Sequence, residues 1–299
     1  MTIPTSIIVI QLAAWVQTTT FLIVWLRKAR KAPPPDVTAS ASVSRRTLLV
    51  YRLACLGYAL FIGIRQYLDR GSIAFVYYTV WNWWLLTAYF ALAALASWLA
   101  ISRKGWSSAK PRTLHWVLVA IFHTEASAIV VVDTITWLVL VPMLMADPDP
   151  ARRAMWASRL FCLESYSQHG INALMMAGEI ALGCLPPDLW AAGGQGAWAG
   201  VYGVWAAVFF LRHGRPIYPF MDVKRPHAWV GFLAMFLLAW AGFGLVQGGL
   251  ALRMRAERRS VALAARKVTS QNEPLLGKNA HPGPDGGIVG GRATPPSDQ

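Results

Sequence analysis

The chain has 299 residues, of which 56% are hydrophobic and 14% charged, and its formal net charge is +14. Because soluble domains usually carry about a quarter charged residues, this composition excludes a soluble globular class and indicates a polytopic membrane protein. The basic residues flank apolar segments and form no separate domain, so topology control explains the positive charge better than nucleic-acid binding.

Long apolar segments occupy most of the chain. A hydrocarbon core of about 30 Å requires about 20 helical residues to cross it. The sequence therefore predicts an all-α transmembrane bundle over residues 1–252, with about seven spans and six as the alternative. The first span is the weakest, because Gln11, Gln17 and a run of threonines interrupt it. The predicted spans are 6–26, 47–64, 75–101, 114–142, 159–185, 196–212 and 228–250.

The loops between these spans differ in basic content. Loop 27–46 holds six Lys and Arg residues against the single acid Asp36, and loop 102–113 holds four with no acid. The positive-inside rule then predicts an outside or lumenal N-terminus and a cytosolic C-terminus, in the plasma membrane or an endomembrane. Loops 186–195 and 213–227 fit this orientation poorly. The tail, 253–299, is first basic and then rich in Gly and Pro, which predicts disorder over 277–299.

His169 is an ionisable residue inside the fifth predicted span, where a polar group is costly unless something satisfies it. From the helical rise, His169 lies roughly 15 Å into its span, Thr79 roughly 12 Å into the third, and Asp133 roughly 18 Å from the outer end of the fourth. These three residues are therefore predicted to share one layer that is open towards the outer side.

The helical phase of the fifth span places several polar side chains on one face. That face should point into the bundle, because lipid would not tolerate it. Such residues can also serve only to hold helices together, for about 0.6 kcal/mol each on average. The residues that share the face are Ser165, His169, Asn172, Met176 and Glu179.

Other features predict structural roles or the absence of a bound group. Arg52 is predicted to snorkel at the cytosolic end of its span. Gly244 and Gly248 form a GxxxG pair that predicts close helix packing. No cofactor and no metal ion are expected, because there are no paired histidines for haem, no zinc spacing and no phosphate-binding loop.

Four motifs in residues 70–250 resemble those of the rolling-stone-like family of multi-pass membrane proteins, which includes plant and algal members. Their order and spacing match as well as their hydropathy. The motifs are YYTVWNWWLLTAYF at 77–90, ASAIVVVDTITWLVLVP at 126–142, QHGINALMMAGEIALGCLPP at 168–187 and PIYPFMD at 216–222.

That family is distantly similar to the androgen-induced membrane hydrolases, which cleave fatty acid esters of hydroxy fatty acids with a Thr nucleophile and a His. The resemblance places the nucleophile at Thr79, the His at His169 and a following Glu at Glu179. The chain departs from the hydrolases at Gly170 and Asn172. The hydrolases' last motif matches Gly214, Tyr218, Pro219 and Phe220.

The resemblance implies an intramembrane lipid-ester hydrolase that receives its substrate from the surrounding lipid. Thr79 would need an adjacent base, and His169 could take its proton and return it to the leaving alcohol. Asn172 or Asn82 would stabilise the oxyanion, and a carboxyl group would orient the imidazole. The candidate supporting residues are Asp133, Asn172, Glu179 and Asn82.

Two other functions remain open from the sequence. One is a non-catalytic membrane protein in adhesion, fusion or trafficking, in which the polar face is structural. The other is a small-solute or proton carrier that uses Asp133, His169 and Glu179. Membrane lipids are the expected partners in each case, and nucleic acid in none.

Overall fold

The computed structural model describes residues 4–102 and 112–276, with side chains as far as 265. These residues form helices and no strand, as the composition predicts. The α-helices are α1 (Thr5–Lys31), α2 (Arg45–Arg70), α3 (Tyr78–Ser102), α4 (Arg112–Ile135), α5 (Val141–Met145), α6 (Pro150–Leu160), α7 (Leu163–Tyr166), α8 (Asn172–Leu182), α9 (Ala192–His213) and α10 (Ala228–Leu276).

Short segments of other helix types connect some of these elements. A π-helical segment, Thr136–Leu140, joins α4 to α5, and a second one, Ser167–Ile171, joins α7 to α8. Segments of 3₁₀-helix precede α3, α9 and α10. The chain divides into two compact units, Met1–Arg255 and Ala256–Gln299. The predicted disordered segment 277–299 lies outside the described residues.

Five helices in the described part of the chain are long and apolar enough to cross a membrane, so the protein is an integral, multi-pass membrane protein. The segments predicted as the fifth and sixth spans are not among them. In the fifth, α6 ends at Leu160 and a new helix begins at Leu163. In the sixth, α9 begins with the glycine-rich sequence AGGQG. The five candidate spans are Thr5–Lys31, Arg45–Val76, Tyr78–Ser102, Arg112–Met145 and Ala228–Ala265.

The first predicted span forms one continuous helix, α1, despite its polar residues. Gln17 accepts a hydrogen bond from Trp240 Nε1 in α10 at 3.0 Å, and Thr18 is buried against α9. Gln17 and Thr18, which lower the hydropathy of this span, therefore contact neighbouring helices. Hydrogen bonds of this kind hold helices together where no hydrophobic force acts between them.

Three glycines on α9 let α1 approach closely. A Cβ at Gly193 would lie 2.7 Å from the Cα of Leu22, and one at Gly200 would lie 2.8 Å from the Trp15 ring. A Cβ at Gly196 would overlap Thr18. The prediction for Gly244 was wrong, because a Cβ there meets no atom of the described residues within 4 Å, and Gly248 is equally open. Close packing occurs at the α1–α9 contact, and in α10 at Gly242, where a Cβ would lie 3.2 Å from the Ser127 carbonyl oxygen of α4.

Replacing Gly193 with Val is expected to destabilise the protein by about 1–3 kcal/mol or more, because the side chain must displace the α1 backbone. The measurement is the melting temperature of purified protein in detergent. Gly244→Val is the matched control and should melt close to wild type. Equal melting of the two variants would contradict the assigned packing.

Ionic and polar contacts join α1, α8 and α10 at one end of the bundle. Lys28 and Asp188 form an ion pair at 2.9 Å, and the Asp188 N–H donates to Gln247 at 2.7 Å. Arg253 donates to three backbone carbonyls: that of Ile180 in the last turn of α8, and those of Gly183 and Leu185 in the segment that follows. The Ile180 carbonyl is one of those that a helix C-terminus leaves without an intrahelical partner, so Arg253 caps α8.

Candidate functional site

Asp133, His169 and Asn172 form a polar cluster between α4 and the helix that follows Leu163. Asp133 Oδ1 accepts a hydrogen bond from Asn172 Nδ2 at 3.0 Å and lies 3.7 Å from His169 Nδ1. The proximity of Asp133 and His169 that the depth estimate predicts is thus present. His169 is 8% exposed, and its Nδ1 atom makes no hydrogen bond in the described part of the chain.

Two π-helical segments meet at this cluster. His169 belongs to Ser167–Ile171 and has non-helical backbone angles, φ −133° and ψ 26°. Trp137 belongs to the π-helical segment Thr136–Leu140, and its Nε1 donates to the His169 carbonyl. Single turns of π-helix occur frequently at functional sites, where they place side chains that a regular helix would turn elsewhere. Hydrophobic periodicity does not reveal them.

The predicted polar face of the fifth span is buried throughout, and α2 also contacts two polar residues next to this face, Gln168 and Ser167. Gln168 and Gln66 exchange two side-chain hydrogen bonds, at 2.8 and 3.3 Å. Tyr58 lies 2.8 Å from Ser167, hydroxyl to hydroxyl. The buried residues of the predicted face are Ser165, His169, Asn172, Met176 and Glu179.

Glu179 does not contact the imidazole. It forms a buried ion pair with Arg52 and accepts a hydrogen bond from the Tyr89 hydroxyl at 2.9 Å. Arg52 also donates to Ser97 Oγ at 2.6 Å and to the Val37 carbonyl at 2.8 Å. The prediction that Arg52 snorkels was therefore wrong, since its side chain is 1% exposed. Glu179 lies ten residues beyond His169, so a helix carries it roughly 15 Å away.

Thr79 lies at the wall of a half-open cavity of about 560 Å³, lined by α1, α4, α9, α10 and the loop before α10. We call it the main cavity. Most of its lining is aliphatic or aromatic, with Gln11, Gln17 and Gln195 among the few polar residues. Its size lies within the range of ligand pockets. Within the described part of the chain the Thr79 hydroxyl has no hydrogen-bond partner, so it is free to contact a ligand.

Thr79 also lines a narrow polar recess between α3, α4 and the helix that follows Leu163. The recess has no room for a water molecule. Its polar lining residues are Thr79, Asn82, Glu125, Gln168 and Asn172. Thr79 and Val132 line both the recess and the main cavity, so the two spaces meet at these residues.

Glu125 is the functional candidate that the sequence analysis missed. It is 1% exposed, and its Oε2 atom has no hydrogen-bond partner in the described part of the chain. As an ionisable residue in the middle of α4, it carries the same signal that singled out Asp133. The depth estimate considered only Asp133 in this helix, which lies eight residues beyond Glu125.

The side-chain amides of Asn172 and Asn82, the two residues predicted to stabilise the oxyanion, already make most of their possible hydrogen bonds. Asn172 Nδ2 donates to Asp133 and to the Gln168 carbonyl, which accounts for both of its hydrogens. Asn82 Nδ2 donates once, to the Tyr78 carbonyl, and Asn82 Oδ1 accepts from Trp198 Nε1 at 2.9 Å. Among the described residues, Asn82 therefore keeps one N–H without an acceptor, and Asn82 lines the recess.

The loop after α9 closes the main cavity beside Thr79. Gly214 ends α9 with a positive φ of 66°, a conformation that favours glycine. Tyr218 follows, and its hydroxyl accepts a hydrogen bond from the Tyr78 N–H at 2.9 Å. Burial raises the pKa of Tyr218 to about 12, so the phenol stays protonated near neutral pH. Tyr218 and Phe220 both line the main cavity, which brings the last quoted motif next to Thr79.

Within the described residues, no hydrogen bond joins Thr79 to His169. His169 lines neither the main cavity nor the recess, whereas its neighbour Asn172 lines the recess. Over the described ranges, no group of three or more His, Cys, Asp or Glu side chains is placed to hold a metal ion. No family model, no curated protein and no solved structure matches the chain.

Proposed function

We propose that this membrane protein is an intramembrane hydrolase of lipid esters with Thr79 as its nucleophile, as its resemblance to the rolling-stone-like proteins and the androgen-induced hydrolases implies. One observation carries the proposal: Thr79 lines both a large apolar cavity and a narrow polar recess. A lipid ester likewise has an apolar part, its acyl chain, and a polar part, its ester group. Its acyl chain fits the main cavity, and its ester group then lies at Thr79.

In the proposed reaction the Thr79 oxygen attacks the ester carbonyl and its proton passes to a base. The carbon–oxygen bond to the alcohol breaks, and the alcohol leaves with that proton. Water then hydrolyses the acyl-threonine and releases the fatty acid, which restores the hydroxyl. The free N–H of Asn82 in the recess is a donor for the oxyanion.

His169 is the proposed base, and its ring lies beside Asp133 before substrate binds. The ring must turn from Asp133 towards the recess when the substrate binds. Two features support this movement: Nδ1 makes no hydrogen bond, and the backbone at His169 departs from helical geometry. Catalytic hydrogen bonds are often long without substrate and shorten only in the complex.

The test is labelling by a fluorophosphonate probe, which reacts with activated hydroxyl nucleophiles, on purified protein in detergent. We expect wild type to be labelled and to cleave a lipid ester, Thr79→Ala to lose both, and Thr79→Ser to retain both. His169→Gln should lower the rate by about 100-fold or more, as loss of a general base does.

Thr87→Ala is the matched control for Thr79→Ala. Thr87 lies two turns further along α3 and donates to the Trp83 carbonyl, and it lines neither the recess nor the main cavity. This variant should keep full labelling. An unlabelled, inactive wild type that melts cooperatively would refute the hydrolase, and labelling that persists in Thr79→Ala would refute the nucleophile.

A further inference from the structure

We infer that the main cavity binds a lipid chain that carries an O–H group, either a hydroxyl or an un-ionised carboxyl, and that Gln17 and Gln195 hold this group. The inference rests on the proposed function for the position of the lipid, with its ester group at Thr79 and one chain in the main cavity. It adds a second polar binding site, at a distance from the ester, and with it a requirement on the chain of the substrate.

Gln17 and Gln195 lie at the same level in the wall of the main cavity. Both contact consecutive residues of α10: Trp240 Nε1 donates to Gln17 Oε1 at 3.0 Å, and Gln195 Nε2 donates to the Ala239 carbonyl at 3.3 Å. α1 and α9 also approach closely at the neighbouring Gly196. The two amides therefore form one polar patch, which we call the glutamine pair, in a mostly apolar lining.

Part of each amide in the glutamine pair is unused. Trp240 fixes Gln17 Oε1 as an acceptor, so the two hydrogens of Gln17 Nε2 have no acceptor in the described part of the chain. The Ala239 carbonyl fixes Gln195 Nε2 as a donor, and Gln195 Oε1 receives no hydrogen bond from the described residues. Gln195 is only 7% exposed. Neither free atom belongs to the inaccessible unpaired atoms of the bundle, so a ligand in the main cavity can reach both.

An O–H group matches the glutamine pair because it both donates and accepts. A hydroxyl donates to Gln195 Oε1 and accepts from Gln17 Nε2, and an un-ionised carboxyl does the same with its two oxygens. A plain alkyl chain displaces water from the amides and offers no hydrogen bond in its place, which lowers its affinity. No Lys, Arg or His is among the described residues that line the main cavity, so a carboxyl binds there in its neutral form.

The glutamine pair lies at a defined distance from Thr79. The Tyr202 hydroxyl donates to the Val76 carbonyl at 3.0 Å, just before Thr79, and Gln195 precedes Tyr202 by seven residues, or about 10 Å of helix. An extended chain advances about 3.3–3.6 Å for every three bonds, so the O–H group should lie about nine bonds from the ester. Fatty acid esters of hydroxy fatty acids contain a chain of the required kind, because the hydroxy fatty acid ends in a carboxyl.

The experiment measures binding with single-chain lipid ethers that cannot be hydrolysed. Four photoreactive probes share one head group: a plain chain, a chain with a hydroxyl about nine bonds from the ether oxygen, the methyl ether of that hydroxyl, and a chain that ends there in a carboxyl. Competition for crosslinking to the full-length protein in detergent gives their relative affinities. The measurements are made at about pH 5, where an aliphatic carboxyl is partly protonated.

We expect at least one O–H probe to bind wild type about tenfold or more tightly than the plain chain and the methyl ether, because only an O–H group pairs both amides. If the hydroxyl probe is the tighter of the two, the natural lipid has a hydroxylated chain. If the carboxyl probe is the tighter, the natural lipid has a chain that ends in a carboxyl.

Gln195→Met tests the pair itself, because it removes the acceptor and keeps the length of the side chain. The Ala239 carbonyl lies inside α10, so the variant should melt close to wild type. We expect it to bind the plain and O–H probes with affinities within about threefold of each other. Gln11→Met is the matched control. Gln11 lines the same cavity but lies six residues before Gln17, about 9 Å away along α1, so this variant should keep the wild-type preference.

The outcomes separate this inference from the hydrolase. Equal binding of all four probes by wild type, or a preference that survives in Gln195→Met, overturns the assignment of the glutamine pair even if lipid esters are cleaved. A preference that is lost in Gln195→Met and kept in Gln11→Met supports the assignment, and it does so even if wild type hydrolyses no ester.

Discussion

Replacing Glu179 with Gln is expected to lower the free energy of unfolding by about 3–5 kcal/mol, the usual effect of breaking a buried ion pair. Arg52 would keep its charge in the interior without a counter-ion, although it would still donate to Ser97 and Val37. The measurement is the melting temperature in detergent, together with the yield of monodisperse protein. A variant that melts like wild type would show that the ion pair contributes little.

A matched control and a double variant separate charge from packing. Asp69→Asn changes an exposed carboxyl that lies 3.7 Å from Arg70, and we expect a change within about 0.5 kcal/mol. Combining Glu179→Leu with Arg52→Met removes both charges at once and should recover much of the lost stability. If the double variant is no more stable than Glu179→Gln, the lost stability does not come from the uncompensated charge.

Replacing Gly203 with Phe is expected to block lipid binding while leaving the fold intact. Gly203 lines the main cavity, and a Cβ at this position meets nothing within 4 Å. The ring can therefore occupy the space assigned to the acyl chain without displacing a helix. A bound chain would then be overpacked by about 1–3 kcal/mol, which corresponds to roughly tenfold to a hundredfold in affinity.

Crosslinking of a photoreactive lipid ether with a single alkyl chain, which cannot be hydrolysed, measures this effect, and Gly244→Phe is its control. Gly244 is equally open but does not line the main cavity, so its variant should bind the probe like wild type. Both variants should melt near the wild-type temperature. Unchanged crosslinking in Gly203→Phe would place the lipid elsewhere.

Helical rise and phase predicted the neighbours of His169 but not its immediate geometry. The polar face from Ser165 to Glu179 is buried, and Asp133 lies beside His169, because both properties follow from regular helix geometry. The break after Leu160 and the two π-helical segments depart from that geometry. They depend on tertiary contacts such as that between Trp137 and the His169 carbonyl, which no local pattern contains.

Residues that pair across the bundle were harder to assign. Arg52 and Glu179 are 127 positions apart in the sequence, so no local pattern pairs them. Arg52 lies near the end of its predicted span, and its side chain was therefore predicted to snorkel towards the lipid head groups. The glycines at 193, 196 and 200 do recur at helical spacing. This spacing is visible in the sequence, but close helix packing was predicted at the more familiar GxxxG pair, 244 and 248, instead.

The cap that Arg253 provides has a consequence for biosynthesis. A membrane protein is made from its N-terminus, so α8 leaves the ribosome well before residue 253. The carbonyls of Ile180, Gly183 and Leu185 then lack this partner until the last membrane helix has been made. The C-terminal end of α8 is therefore uncapped until late in synthesis. A nascent chain that ends before Arg253 contains every proposed catalytic residue, yet the helix that begins at Asn172, beside Asp133, still lacks its C-terminal cap.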